Sequence, residues 1–198
     1  MVFYLIANNL ALDLMNTRIV ENGEEVDLLA GYEDVLDWSA EAGLIDASQK
    51  TGGGKKRKGT KEADKLVDEV GMLRELIRSV VSDIVGKRPV STSSLHRLNE
   101  FLERNRGFFA LQRTEDGYEE RFQAEVDNIE SLLAPIAESA ADLLCFVDPV
   151  DIRKCENAEC VLYFYDRSKN HRRRWCSMAA CGNRAKVAAF YKRKKTAV

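Results

Sequence analysis

Apolar positions along this chain recur more often with a helical period than with the alternation of a strand. The clearest run is Lys61–Val85. Leu66, Val70, Leu73, Ile77, Val80 and Ile84 follow one another at intervals of three and four, which predicts an amphipathic helix of several turns ended by Gly86 and Pro89. Tyr32–Ala42 predicts a second helix, with Val35, Leu36 and Trp38 as apolar anchors and Gly43 as its stop. Ser91–Glu103 opens on hydroxyl side chains suited to capping and sets Leu95, Leu98 and Leu102 on one face. A short helix is expected over Ala11–Thr17, and a longer one over Glu125–Phe146 with a kink at Pro135.

Strand signals are fewer. Val2–Ile6 starts the chain with a strand-like run. Phe108–Gln112 and Tyr118–Phe122 flank Thr114-Glu115-Asp116-Gly117, which predicts a β-hairpin closed by an Asp-Gly turn. Ser48–Thr60 reads as a loop, with Gly52-Gly53-Gly54 for flexibility and Lys55-Lys56-Arg57-Lys58 as a charge run. There is no internal repeat. The fold class expected is α+β: a mostly helical N-terminal domain with a β-hairpin over residues 1–150, then a small module over 151–198. Asp148-Pro149 marks the boundary.

Length and composition agree with that division. A chain of 198 residues holds one ordinary domain and a small appendage. Its 45% hydrophobic and 31% charged residues are those of a folded chain, not a disordered one. No apolar run approaches the roughly 18 to 20 residues of a membrane span. The apolar opening MVFYLIANNLALDL lacks a basic leader, and Asn8, Asn9 and Asp13 interrupt it. No signal peptide is therefore expected, and the cytoplasm is the compartment inferred.

Charge and cysteines change the picture. The net charge of −2 conceals a split: residues 151–198 hold 13 Lys/Arg against 4 Asp/Glu, whereas the rest hold 17 against 28. A basic piece of this kind favours a polyanion. Cys155, Cys160, Cys176 and Cys181 fall inside it, as two pairs of x4 spacing separated by fifteen residues. Each pair can close a knuckle, and the segment between can fold as a hairpin that brings the knuckles together. Four thiolates suit Zn²⁺ in a closed structural site, one ion per chain; a catalytic zinc needs an open position. A piece of this size also buries too little to fold without a staple. Two disulfides need an oxidising compartment, and an iron–sulfur cluster fits the cationic flanks less well. His171 stands between the pairs as an alternative ligand. Cys145, beside Leu143, Leu144 and Phe146, reads as a buried free thiol.

Phe164-x-Asp166-x-Ser168-x-Asn170-x-Arg172-Arg173-Arg174-Trp175-Cys176-Ser177-Met178, followed by Cys181-Gly182-Asn183-Arg184-x-Lys186, resembles the CGNR zinc finger. Leu10-Ala11-Leu12-Asp13-Leu14-Met15-Asn16-Thr17 is similar to the opening motif of the ABATE domain that precedes that finger. Leu73-Arg74-Glu75-Leu76-Ile77-Arg78 and Leu98-Asn99 also fit. The resemblance implies a bacterial, stress-induced transcription regulator whose finger binds nucleic acid. The glycine-rich basic loop at 52–58 is not part of it.

A helix is expected from Asn183 to Lys195. Val187, Phe190 and Tyr191 give it an apolar side, and Lys186, Arg193 and Lys194 a basic one. Such a helix can enter a major groove, with its first residues at base edges and its cations on phosphates. Asn183 and Arg184 are then the candidate readers, and Arg172, Arg173, Arg174, Lys186, Arg193 and Lys194 the candidate phosphate contacts. Against this, Asn183 can cap the helix and Arg184 can pair with Asp166. Tyr163, Phe164, Tyr165 and Trp175 either form the small core around zinc or offer stacking faces to RNA. Asp13, Asn16 and Thr17 either line a small-molecule pocket or satisfy buried backbone groups at a helix end.

No nucleophile–base pair, phosphate-cradling loop or open metal site appears, so the chain is not expected to be an enzyme. The function expected is a zinc-dependent regulator that binds nucleic acid, DNA over RNA, with an N-terminal domain that senses an effector or dimerises. The alternative is a small-molecule-binding or enzymatic N-terminal domain whose zinc module serves protein contacts or RNA. Specific binding by one finger would call for a homodimer.

Overall fold

The computed structural model describes residues 2–45, 59–104, 107–114, 117–124 and 132–196. The loop expected at Ser48–Thr60, with its glycine and lysine runs, falls almost wholly outside these residues, as do Glu115 and Asp116 of the expected turn.

The N-terminal run from Val2 to Ile6 forms no strand. It buries Phe3 in the core and leads to α1, Leu10–Met15. Asn9 caps that helix by accepting the Leu12 N–H at 3.1 Å, and its amide donates to Ser139 O across the fold at 3.0 Å. A hairpin not expected from the sequence follows: β1, Arg18–Glu21, pairs antiparallel with β2, Glu24–Asp27. Asn22 and Gly23 between them both have positive φ, 53° and 87°, as a tight two-residue hairpin turn requires.

The helices α2, Tyr32–Glu41, and α3, Lys61–Val85, lie where the apolar period placed them. Thr60 caps α3 by accepting the Ala63 N–H, and the whole Leu66-to-Ile84 stripe is buried. Helix α4 is Thr92–Leu102, capped by Ser91. Strands β3, Gly107–Thr114, and β4, Gly117–Ala124, form the expected second hairpin. Among the described residues, helix α5 spans Ala134–Cys145. Pro135 stands in its first turn, where a missing N–H costs nothing, so it starts the helix and does not kink it. Residues 125–131 of the expected helix lie outside the described residues. Cys145 is exposed, not buried.

Arg74 of α3 is only 3% exposed, and it joins three elements. Its guanidinium forks onto both carboxylate oxygens of Asp27 on β2 and donates to Thr17 Oγ1 at 2.9 Å. Asp27 is thereby held below the usual carboxylate range: Arg74 and the Leu29 N–H outweigh the effect of burial.

Beyond α5 a short 3₁₀ turn, Pro149–Asp151, leads to β5, Ile152–Lys154, which pairs antiparallel with β6, Tyr163–Tyr165. A π-helical turn, Met178–Gly182, runs into the last helix, α6, Asn183–Thr196. Ile152, Leu162 and Phe164 join the same core cluster as the helices of the first 145 residues. The small module is thus packed into the body of the protein and not merely tethered to it. Among the described residues no helix is long and apolar enough to cross a membrane.

Candidate metal centre and nucleic-acid surface

The strands β5 and β6 carry the first knuckle between them. Cys155 follows β5 and its N–H donates to Leu162 O, while Cys160 closes a turn by donating to Asn157 O. The second knuckle begins at Cys176 and ends in the π turn, where the Gly182 N–H donates to Ser177 O. A side chain at Gly182 would lie 2.8 Å from Met178 Sδ and 3.2 Å from Trp175 Cδ1, so any larger residue there would have to displace the Met178 side chain.

All four Sγ atoms lie within 4.8 Å of one another. Cys160 and Cys176 are 3.7 Å apart, and Cys176 and Cys181 are 3.5 Å apart. Zn–S bonds of about 2.3 Å in a tetrahedron give S···S edges of about 3.8 Å, so the thiols already stand at zinc's spacing. Their electrostatics calls for a cation. The Cys176 thiol donates to Cys160 and drives it down to about 5. Cys176 is pushed far up by that same hydrogen bond, by burial and by its sulfur neighbours. Burial raises Cys155. Four thiolates coexist here only when a metal balances them. The chain binds one structural Zn²⁺ through Cys155, Cys160, Cys176 and Cys181. Two donors steady the last ligand: Asn157 Nδ2 at 3.4 Å and Arg184 Nη2 at 3.1 Å from Cys181 Sγ. His171 is outside the metal set; its Nδ1 meets Asp151 Oδ1 at 2.8 Å.

The three consecutive arginines have three different surroundings. Arg172 is exposed. Arg173 is turned inward: it donates to Trp175 O, Cys176 O and, across the fold, Ile6 O, and lies 4.2 Å over the Phe164 ring. Its own N–H donates to Asp166, whose side chain is fully buried. Arg174 is ion-paired with Glu156 at 2.6 Å and lies over Trp175. Arg184 holds Cys181, not Asp166. Asp166 instead accepts from Ser168 and from the Arg173 backbone, which keeps its carboxyl low against the effect of burial. Asn183 donates to Ala179 O and braces the turn before α6. Lys186 and Lys194 are exposed, and Arg193 Nε donates to Ala189 O. Phe164 is fully buried and Tyr163, Tyr165 and Trp175 are half-buried, as a small core around zinc requires.

Asp13, Asn16 and Thr17 make contacts of the second kind raised above, with buried groups inside the protein. Asn16 acts as a strand partner: its Nδ2 donates to Tyr163 O at 2.8 Å and its Oδ1 accepts the Tyr163 N–H at 2.9 Å. Thr17 Oγ1 donates to Leu14 O. Asp13 accepts the Ala7 N–H at 2.9 Å. The two Asn16 bonds, with Tyr165 N–H on Ala7 O, fasten the zinc module to the N-terminal segment.

Burial pushes Asp13 up to about 6, against the lowering effects of the Ala7 and Ile6 amides and of Arg173. A carboxyl raised in the folded state stabilises it at low pH, and that stability is lost as pH rises through about 6. Between pH 5 and 7.5, wild type should lose about 1 kcal/mol relative to Asp13→Asn, with little further change above. Unfolding in urea at a series of pH values, in excess zinc, measures it. A constant difference between the two proteins would remove Asp13 from this role.

The sequence did not single out the docking contacts of Asn16, Arg173 and Asp166. Only Asp166 carried a local cue, since Asp-x-Ser suits a side chain that turns back on the backbone two residues on.

Comparison with known families follows this geometry. A family model described as "putative stress-induced transcription regulator", ABATE, matches residues 8–146. The CGNR zinc finger model matches residues 152–194. No curated protein matches the chain.

Proposed function

This chain belongs to the ABATE family and carries a CGNR zinc finger, and on that premise we propose that it is a zinc-dependent, nucleic-acid-binding transcription regulator of the cytoplasm. DNA is the preferred partner over RNA, the N-terminal domain senses a small effector, and no catalytic step is assigned to the chain. The observation that carries the reading is α6. Zinc fixes its start through Cys181, and most of its described side chains are exposed, including Val187, Phe190 and Tyr191 at 54%, 57% and 64%. A basic helix held rigidly at one end and open along its flank fits a groove lined with phosphates.

Arg172, Lys186 and Lys194 are the proposed phosphate contacts, with Arg193 beside them. Asn183 and Arg184 lie at the end of α6 that would meet base edges. The inward Arg173 is withdrawn from the phosphate set, because the hydrogen bonds of its guanidinium named above all go to carbonyls of the protein.

Full-length protein should bind duplex DNA at low salt and release it steeply as salt rises. Arg172→Ala should weaken all sequences alike and reduce the salt slope by about one unit, with melting temperature and zinc content unchanged. Fluorescence anisotropy across a salt series, on duplex DNA and on single-stranded RNA, gives both numbers. Retention of RNA alone would reassign the partner, and retention of neither would leave the module a protein-contact element.

A further inference from the structure

A cleft of about 800 Å³ opens between the β1–β2 hairpin and the zinc module. Its apolar lining includes Tyr4, Ile6 and Ile19 from the N-terminal part of the chain and Val161 and Leu162 from the zinc module. The cleft lies where the two parts of the chain meet and borders the metal site, whose Cys160, Cys176 and Cys181 help to line it. It is separate from Asp13, Asn16 and Thr17.

We propose that this cleft binds a small organic cation with an apolar, aromatic body. The charges around it decide the sign. Glu21 and Glu159 stand in the lining, and so do three of the four cysteines, Cys160, Cys176 and Cys181. Zinc on four thiolates keeps two net negative charges. Among the described residues lining the cleft Arg184 is the single cation, and it already donates to Cys181 Sγ at 3.1 Å. An anion entering here would face this excess at short range, whereas a cation would be attracted and could lie over the Tyr4 ring. Apolar walls contribute the remaining affinity by removing the ligand's hydrocarbon surface from water. The inference gives a ligand class to the effector half of the function proposed above and rests on that half alone.

Two ions of nearly the same shape and opposite charge make the test: tetraphenylphosphonium and tetraphenylborate. Each is titrated into full-length, zinc-loaded protein by calorimetry. The phosphonium should bind, and the borate should bind at least about tenfold more weakly. Glu21→Gln with Glu159→Gln should weaken the phosphonium by about tenfold, since two nearby charges are lost. Val20→Trp, at a half-exposed position that also lines the cleft, should weaken binding by crowding it while leaving zinc content and melting temperature unchanged. Equal or tighter binding of the borate, no binding of the phosphonium at millimolar concentration, or full binding by a folded Val20→Trp protein would each overturn the proposal. DNA binding, measured on the same samples, is a separate axis: a protein that binds the phosphonium but no DNA supports the cleft and counts only against the nucleic-acid reading.

Discussion

Stripping the zinc is expected to weaken the whole chain, and not only to melt its last fifth. A small zinc module owes apparent folding free energies of about 10–16 kcal/mol to its metal. That is as large as the total stability of an ordinary domain, about 5–15 kcal/mol. Without zinc, the knuckles around Cys155 and Cys176 have nothing to close on. The loss spreads because Ile152, Leu162 and Phe164 are buried in the same core as the helices. Withdrawing three such side chains removes roughly 1.5–3 kcal/mol each. Asn16 would also lose both hydrogen bonds to Tyr163, and Ala7 O its bond from Tyr165. The chain has two tryptophans, one on each side: Trp38, buried at 1% exposure, and Trp175 beside the metal site. Trp38→Phe and Trp175→Phe therefore give single reporters. On chelation, or in Cys176→Ser, the Trp175 signal should collapse at room temperature. The Trp38 melting temperature should fall by about 10 °C or more, given roughly 2–4 °C per kcal/mol for a unit of about 150–250 residues. A Trp38 transition that ignores the metal would show two independent units and defeat the shared-core account.

That coupling was not legible in the sequence, and the reason is distance along the chain. Asn16 and Tyr163 meet across 147 positions, and no local pattern announces the pair. What was legible is what chemistry or period fixes locally. Four cysteines need only identity and spacing to name a metal. The Leu66-to-Ile84 stripe needs only its interval to name a helix, and α3 begins and ends where that reading put it. Elsewhere a strong cue was present and passed over. Asn22-Gly23 is among the firmest short hairpin signals, but β1 and β2 are four residues each and mostly polar, so their alternation is too brief to notice. An apolar pattern that continues upstream of Pro135 suggests a kinked helix, but its position in the first turn of α5 is where proline favours a start. The Arg172–Arg174 run read as one phosphate patch, because composition cannot show which of three adjacent side chains points inward.

Arg173→Ala should accordingly be among the most damaging single changes outside the cysteines. The side chain donates to three backbone carbonyls, Ile6 O, Trp175 O and Cys176 O, and lies over Phe164. Removing it strands those acceptors at the junction between the N-terminal segment and the second knuckle, and it takes away the cation that lowers Asp13. Hydrogen bonds to charged groups contribute about 1.5–3 kcal/mol each net, and water reaches part of this half-buried side chain's site once it is removed, so a loss of about 3 kcal/mol is expected. Arg173→Lys should recover only a part, because an ammonium is a point donor and cannot span carbonyls set in a fork around a planar guanidinium. Arg172→Ala, one residue away, should change stability by less than about 0.5 kcal/mol, as exposed positions do. The same pair separates holding from binding. If Arg173 gripped phosphate, its loss would lower DNA affinity as Arg172→Ala does and leave unfolding in urea untouched. If it fastens the module, Arg173→Ala shifts the urea midpoint and speeds zinc transfer to a chromogenic chelator. Wild-type stability and wild-type zinc retention in Arg173→Ala would return that arginine to the nucleic-acid surface.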